Sequence, residues 1–224
     1  MRPLNMESEM IWEKWPARLE AIVRACERHG GMAEPIVIGA PATRHRIAEF
    51  EQEHGYRLDE SLTQVLVHFS AEVAFKWHLP NGVQSAAFPE IQYGEMSWSL
   101  SKIAQAEECR RRSLKGIFSH PEDVALTHWD EKFAIMEIPN GDMIALDLSG
   151  HRECPIVYLD HEDMAGPAYR LGNNFVDFID RWTRLGCPGP EGWLLIPFIP
   201  SAASGLEPDG ENAREWRTWF GLEE

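Results

Sequence analysis

The amino-acid sequence predicts an α+β fold, in which helices pack on an antiparallel β-sheet (a meander). The first half carries apolar residues at helical spacing, bounded by capping residues and glycines. From Gly116 onward, short apolar segments alternate with turn signals, which is typical of an antiparallel meander. The chain has 224 residues, 44% of them hydrophobic, so it is long enough to bury a sizeable core.

Three helices are predicted near the N-terminus. The first covers residues 16–28, begins with Pro16 and ends before Gly30. The second follows Thr43 as its N-cap and ends at Gly55. The third follows Asp59 and carries apolar residues at 62, 65, 66 and 69, which fall on one helical face.

After the third helix, the sequence predicts two short strands and a further helix. Residues 75–79 and 88–93 are predicted as short strands, the first of which runs into a Pro-Asn-Gly turn. A helix capped near Ser97 or Ser99, with Trp98 among its apolar residues, is predicted to continue through residues 110–112. Those three arginines fan around the helix axis, so we expect a solvated helix face.

The β-meander and the C-terminal part complete the prediction. Strands are expected at residues 124–126, 133–138, 143–148 and 155–159, with a hairpin turn at 139–142. A helix over residues 173–185 follows. After it we expect an apolar run at 193–199 packed on the core, a loop at 201–210 and a short terminal helix containing Trp216, Trp219 and Phe220.

Sequence motifs for known chemistries are missing. The chain has no G-x-S-x-G elbow, phosphate-binding loop or H-E-x-x-H pair. Four widely spaced cysteines predict reduced thiols rather than a disulfide framework or zinc site. Residues 160–163 (Asp-His-Glu-Asp) are the best metal candidate, but adjacent side chains point apart and a solvated turn explains them as well. We therefore expect no metal, no cofactor and no enzymatic activity.

The charge predicts the kind of partner. The formal net charge is −15, and residues 119–180 hold 13 acids against three bases. Such a chain repels nucleic acid and anionic membranes and attracts basic proteins. The alternative is that the acidity only keeps the protein soluble, although charge that serves solubility would be spread more evenly along the chain. With neither a signal peptide nor a membrane span in the sequence, we expect a cytoplasmic protein.

Two of the nine tryptophans are candidate contact residues. Trp77 and Trp129 lie in charged or polar stretches, whereas most of the others fall on apolar faces. Tryptophan is enriched at binding hot spots, so each is a candidate anchor for a partner.

Three stretches of sequence carry a family pattern. They are Ile-Ala-Glu-Phe-Glu through Gly-Tyr-Arg-Leu at 47–58, Asn-Gly-Asp-Met-Ile-Ala-Leu-Asp at 140–147, and Pro-Ile-Val-Tyr-Leu-Asp-His-Glu at 155–162 leading into the helix that ends near Gly186. In this order the chain resembles the SUKH superfamily (Smi/Knr-like proteins) over residues 43–187. It departs from the family at Asp59, where a proline is usual, and at residues 70–72, where an Asn-Gly-Gly-like turn is usual. The resemblance divides the chain into an N-terminal helical extension (1–42), a SUKH-like α+β core (43–187) and a C-terminal tail packed on the core (188–224).

The resemblance also implies a function. Many bacterial members are immunity proteins that bind and neutralise a cognate toxin, often a nuclease, and the fold brings no general catalytic site. A regulatory or scaffold protein without a toxin partner is the alternative, and a metal-dependent hydrolase using residues 160–163 is a third. By charge density alone, the contact residues expected for a toxin are Asp142, Asp147, Asp160, Glu162 and Asp163.

Overall fold

The computed structural model describes residues 11–117, 129–149, 154–162 and 168–222. These residues form seven α-helices and two antiparallel sheets, which confirms the predicted α+β class. The helices are α1 Trp15–Arg28, α2 Arg44–His54, α3 Glu60–His68, α4 Leu100–Ile117, α5 Phe175–Arg184, α6 Gly192–Leu195 and α7 Glu211–Phe220. The strands are β1 Met32–Ala33, β2 Val37–Ile38, β3 Glu72–His78, β4 Tyr93–Ser99, β5 Lys132–Glu137, β6 Met143–Asp147, β7 Ile156–Leu159 and β8 Tyr169–Gly172.

The predicted N-terminal helices are confirmed together with their caps. The Thr43 hydroxyl accepts a hydrogen bond from the Arg46 N–H at 3.1 Å, which satisfies an otherwise unpaired donor at the start of α2. Asp59 accepts from the Ser61 N–H at 2.8 Å and caps α3 in the same way. Gly55 ends α2 with a φ of 71°, a left-handed conformation that costs glycine little.

The first sheet corrects the prediction for residues 88–99. Strand β3 pairs along its whole length with β4, whereas residues 88–92 form a turn and no strand. Trp98, which was predicted to be helical, lies in β4 opposite Val73. Helix α4 begins only at Leu100, after the Ser99 hydroxyl accepts from the Lys102 N–H. The apolar residues of this stretch fit both periods, and pairing with β3 decides between them.

The second sheet confirms the predicted meander. Its strand order is β5-β6-β7-β8, with each strand antiparallel to its neighbours. The β5–β6 turn is closed by Gly141, whose φ is 100°. Strand β8 was not predicted, and the strand predicted at 124–126 lies outside the described residues.

A small apolar cluster, which includes Ala106 and Trp129, packs α4 against the second sheet. A larger core connects the remaining described parts of the chain and includes Leu19 of α1, Phe178 of α5 and Trp216 of α7. At the edge of this core, Arg18 donates to Asp180 at 2.6 Å, and inside it the Trp216 indole donates to the Leu185 carbonyl at 2.8 Å. The three predicted segments share this apolar core. Their division into an N-terminal extension, a SUKH-like core and a C-terminal tail stays a prediction.

The cysteines and the lengths of the helices bear on disulfide bonds and membrane spans. The four cysteines are unpaired thiols, of which Cys26 and Cys187 are buried. Among the described residues, every helix is too short or too polar to serve as a membrane span.

Candidate functional site

The predicted acidic contact residues lie at opposite ends of the second sheet. Asp142 precedes β6, and Met143 pairs with Leu159 at the end of β7, so Asp160 and Glu162 lie beside Asp142. Asp147 ends β6 five residues later, which is about 17 Å along an extended strand. The predicted set therefore does not form one compact cluster, and Asp163 lies outside the described residues.

Asp142 is the centre of a buried hydrogen-bond network. The residue is only 4% exposed. Its carboxylate accepts hydrogen bonds from the Tyr158 hydroxyl, the Asn140 amide at 2.6 Å, and the backbone N–H and ring Nδ1 of His161 at 2.9 and 2.7 Å. The Tyr158 oxygen accepts in turn from the Gly192 N–H at 2.8 Å. Asp142 thus joins the hairpin turn, the end of β7 and α6, and its carboxylate is buried within these contacts.

The network perturbs the acid–base properties of its members. Burial alone would raise the pKa of Asp142, but the hydrogen bonds from Tyr158, His161 and Asn140 outweigh it and hold that pKa below its ordinary value. The bond to Asp142 raises the pKa of His161, which favours the charged imidazolium. Burial, followed by the neighbouring carboxylate, raises the pKa of Tyr158. The arrangement therefore favours a charged Asp–His pair supported by a neutral tyrosine.

A cation could in principle use part of this cluster. Ligand atoms of Asp142, Asp160 and His161 lie within 4.8 Å of one another. However, Asp142 already accepts from four donors, and the His161 ring nitrogen closest to it takes part in one of these bonds. A metal would have to displace those hydrogen bonds, so the geometry explains the cluster as a structural network.

The other predicted acids differ in how far they face solvent. Asp147 forms an ion pair with Lys132 at 3.0 Å and accepts from Ser149. Burial opposes ionisation of Asp147, but its hydrogen bonds to Ser149 and Lys132 lower its pKa overall. Asp160 is half-buried and accepts from the Glu162 N–H, whereas Glu162 is exposed. Of the four predicted acids that the structure describes, Glu162 is the one that is exposed.

Both predicted tryptophan anchors are buried, which corrects that prediction. Trp77 is 0% exposed and its indole donates to the Gly186 carbonyl at 2.8 Å. Trp129 is 2% exposed, and its carbonyl accepts from the Arg110 guanidinium. Polar neighbours in the sequence suggested a surface position, but the alternating pattern of β3 directs Trp77 inward.

The prediction for Arg110 was also wrong. This residue was expected on a solvated helix face, but it is 6% exposed and forms two hydrogen bonds of 2.8 Å with the buried carboxylate of Glu107. Glu107 also accepts from the Ala134 N–H at 3.0 Å. The pair therefore joins α4 to β5.

Sequence reasoning missed an exposed apolar surface on the C-terminal part. Trp193 and Ile196 are 52% and 45% exposed, whereas Leu194 and Leu195 between them are fully buried. The run was predicted to pack on the core as a whole. The sequence pattern that could have predicted this exposure is the spacing of three residues between Trp193 and Ile196, which places them on the same side of a helical turn.

From Trp129 onward, most of the charged side chains that face solvent are carboxylates. Every described lysine and arginine in this part is hydrogen-bonded within the protein, namely Lys132, Arg170, Arg181, Arg184, Arg214 and Arg217. Seven exposed carboxylates form no ion pair within the described residues, namely Asp130, Glu131, Glu137, Glu162, Glu207, Glu211 and Glu215. The described residues from Trp129 onward are here called the acidic half, and Glu162 is the one predicted contact residue among these seven carboxylates.

Comparison with known proteins adds the family. A family model described as SMI1 / KNR4 family (SUKH-1) matches residues 41–181. A search among curated proteins gives no significant match. The matched range covers more than half of the sequence, from the start of α2 into α5, and agrees with the resemblance seen in the sequence. The chain therefore belongs to the SMI1 / KNR4 family (SUKH-1).

Proposed function

We propose that this protein is an immunity protein that binds and neutralises a cognate bacterial toxin without catalysing a reaction. The observation that carries the proposal is the acidic half: its described cations are engaged internally, while seven exposed carboxylates form no ion pair within the described residues. Membership of the SMI1 / KNR4 family (SUKH-1) supports a protein as the partner. The proposal places the protein in the cytoplasm, where a toxin that enters the cell would act.

The charge favours a basic nuclease as the toxin. A nuclease holds phosphates with a cationic surface. Exposed carboxylates fixed on a folded scaffold attract that surface, raise the association rate and block access of nucleic acid. The carboxylates supply steering and specificity, and tight binding also needs an apolar anchor.

The test is capture followed by neutralisation. The tagged chain is used to purify partners from its native host, in parallel with a Glu131→Lys/Glu162→Lys/Glu211→Lys variant. A matched control, Glu13→Lys/Glu27→Lys/Glu53→Lys, changes the net charge equally at exposed glutamates outside the acidic half. We expect the wild type and the control to retain one basic protein that the first variant loses.

The captured protein is then expressed alone and together with this chain. The proposal requires that it stops growth alone and that co-expression restores growth. A captured protein that is harmless to cells contradicts the immunity role and favours the regulatory or scaffold alternative. Equal capture by both charge variants contradicts the role of the acidic half.

A further inference from the structure

The edge of the first sheet that β1 and β2 form is open, whereas other parts of the chain bond to the remaining three sheet edges. The outer side of β4 bonds to Gly189, that of β8 to Ala202, and that of β5 to the Glu107 carboxylate. On its outer side, β2 forms no hydrogen bond to another described residue. Exposed N–H and C=O groups at a sheet edge are a template for pairing with a further strand.

Ile38 lies at the centre of this open edge. It is opposite Val73 in the register of β2 and β3. The next residue, Gly39, donates its N–H to the Glu72 carbonyl at 2.8 Å. Because alternate residues of an antiparallel strand bond to the same neighbour, the N–H and C=O of Ile38 point away from β3. Both groups are therefore directed toward the position that an added strand would take.

The side chains of this edge are apolar. Met32, Val37 and Ile38 are 64%, 43% and 37% exposed, and they are half of the large apolar side chains that are exposed among the described residues. Ile38 lies on the same sheet face as its neighbour Val73, which is 1% exposed. Ile38 is thus at the margin of the core, and an added strand would extend that core over it.

Two features limit the length of strand that this edge can pair. The registers of β1 and β2 against β3 differ by one residue, so the segment between them, which contains Pro35, forms a bulge. On the other side, Pro41 follows β2 closely and has no N–H to donate. Bulges and prolines keep sheet edges from extended pairing. The edge is therefore suited to one short strand rather than to a fibre.

The charges around the edge indicate which strand fits it. Residues 35–43 contain no charged side chain, in a chain whose net charge of −15 opposes contact between copies at other surfaces. The exposed Glu34 precedes this stretch and the exposed Arg44 follows it, and neither forms an ion pair within the described residues. A two-fold axis at Ile38 would pair the edge antiparallel with its own copy and bring the Glu34 end of each copy beside the Arg44 end of the other. The edge is therefore complementary to itself in backbone, side chains and charge.

We propose that the β2 edge is the interface of a homodimer, in which two copies join their first sheets antiparallel about Ile38. The Ile38 N–H of each copy donates to the Ile38 carbonyl of the other, and the two Ile38 side chains pack together. The assembly is closed, because the same edge is used by both copies. The inference goes beyond the proposed function and does not rest on it.

Sedimentation velocity over a range of protein concentrations tests this interface. We expect the wild type to show a monomer–dimer equilibrium. Ile38→Lys places a charge at the centre of the edge and should raise the dimer dissociation constant at least about tenfold. Leu148→Lys is the matched control, because Leu148 is 49% exposed and follows a strand of the second sheet. It should dimerise as the wild type does, and circular dichroism should show that both variants are folded.

A charge exchange tests the antiparallel arrangement without changing Ile38. Glu34→Arg and Arg44→Glu should each shift the protein toward monomer at the concentration where the wild type is half dimeric, because like charges then meet at both ends of the interface. When the two variants are mixed in equal amounts, opposite charges meet again in the heterodimer. The mixture should therefore recover the dimer fraction of the wild type.

Three results would overturn the inference. They are a wild type that is monomeric at every concentration, equal dimerisation of Ile38→Lys and Leu148→Lys, and a mixture of the two charge variants that stays monomeric. No toxin enters these measurements, so their failure leaves the proposed function untouched. Failure of capture or neutralisation in turn leaves the dimer untouched.

Discussion

The substitution Asp142→Asn tests whether the buried carboxylate stabilises the fold or serves a partner. Asparagine keeps the shape but replaces one acceptor oxygen by a donor, so part of the network formed by Tyr158, His161 and Asn140 loses its acceptor. A hydrogen bond to a charged group contributes about 1.5–3 kcal/mol. We expect the free energy of unfolding to fall by about 3 kcal/mol, which for a chain of this size lowers the melting temperature by about 6–12 °C.

Urea and thermal denaturation followed by circular dichroism measure this loss. Asp130→Asn is the control, because Asp130 is exposed and forms no ion pair within the described residues, so its effect should stay within about 0.5 kcal/mol. The pKa of Asp142 is lowered in the folded state, so its contribution is present above the ordinary value of 3.8 and disappears as the pH falls through the lowered pKa. The difference between wild type and variant should therefore shrink in acid. A loss below about 1 kcal/mol at neutral pH would refute the structural role of Asp142.

Three further substitutions test other parts of the structure. His161→Gln should remove a contribution of less than about 1 kcal/mol. That contribution is fully present below pH 6.5 and is lost as the pH rises through the raised pKa of His161, so equal pH profiles of stability for variant and wild type would contradict it. Glu107→Ala leaves the buried guanidinium of Arg110 without its carboxylate and should cost about 3–5 kcal/mol in urea denaturation, whereas a near-neutral effect would show that the pair is dispensable. Trp77→Phe should lower stability by about 2 kcal/mol through lost packing and the lost bond to Gly186; its affinity for a captured partner should stay unchanged, and weaker binding by a folded variant would restore Trp77 as an anchor.

Local signals explain which parts of the fold could be predicted. Thr43 and Asp59 bond to backbone groups two or three residues away, so the starts of α2 and α3 depend only on nearby sequence. The β5–β6 turn depends on Asn140 and Gly141 for the same reason. Trp98 could not be placed in this way, because its strand depends on pairing with Val73, 25 residues earlier. Helical and extended periods both fit that stretch.

The candidate site was harder to predict because its contacts connect distant parts of the chain. The sequence gives the charge of Asp142, but its burial requires Tyr158, His161 and the α6 backbone, the last of which lies 50 residues away. Likewise, Lys132 neutralises Asp147 only once β5 and β6 pair. Net acidity could be read from composition, whereas the carboxylates that remain exposed depend on the tertiary structure.

The central claim is that the acidic half binds a basic protein, and calorimetry tests it most directly. The dissociation constant of the captured partner is measured at increasing salt for wild type, for Glu131→Lys/Glu162→Lys/Glu211→Lys and for the control Glu13→Lys/Glu27→Lys/Glu53→Lys. Our account predicts that wild-type and control affinities fall steeply with salt and that the first variant binds at least about tenfold more weakly at low salt. Equal affinity of the two charge variants, with no dependence on salt, would contradict it.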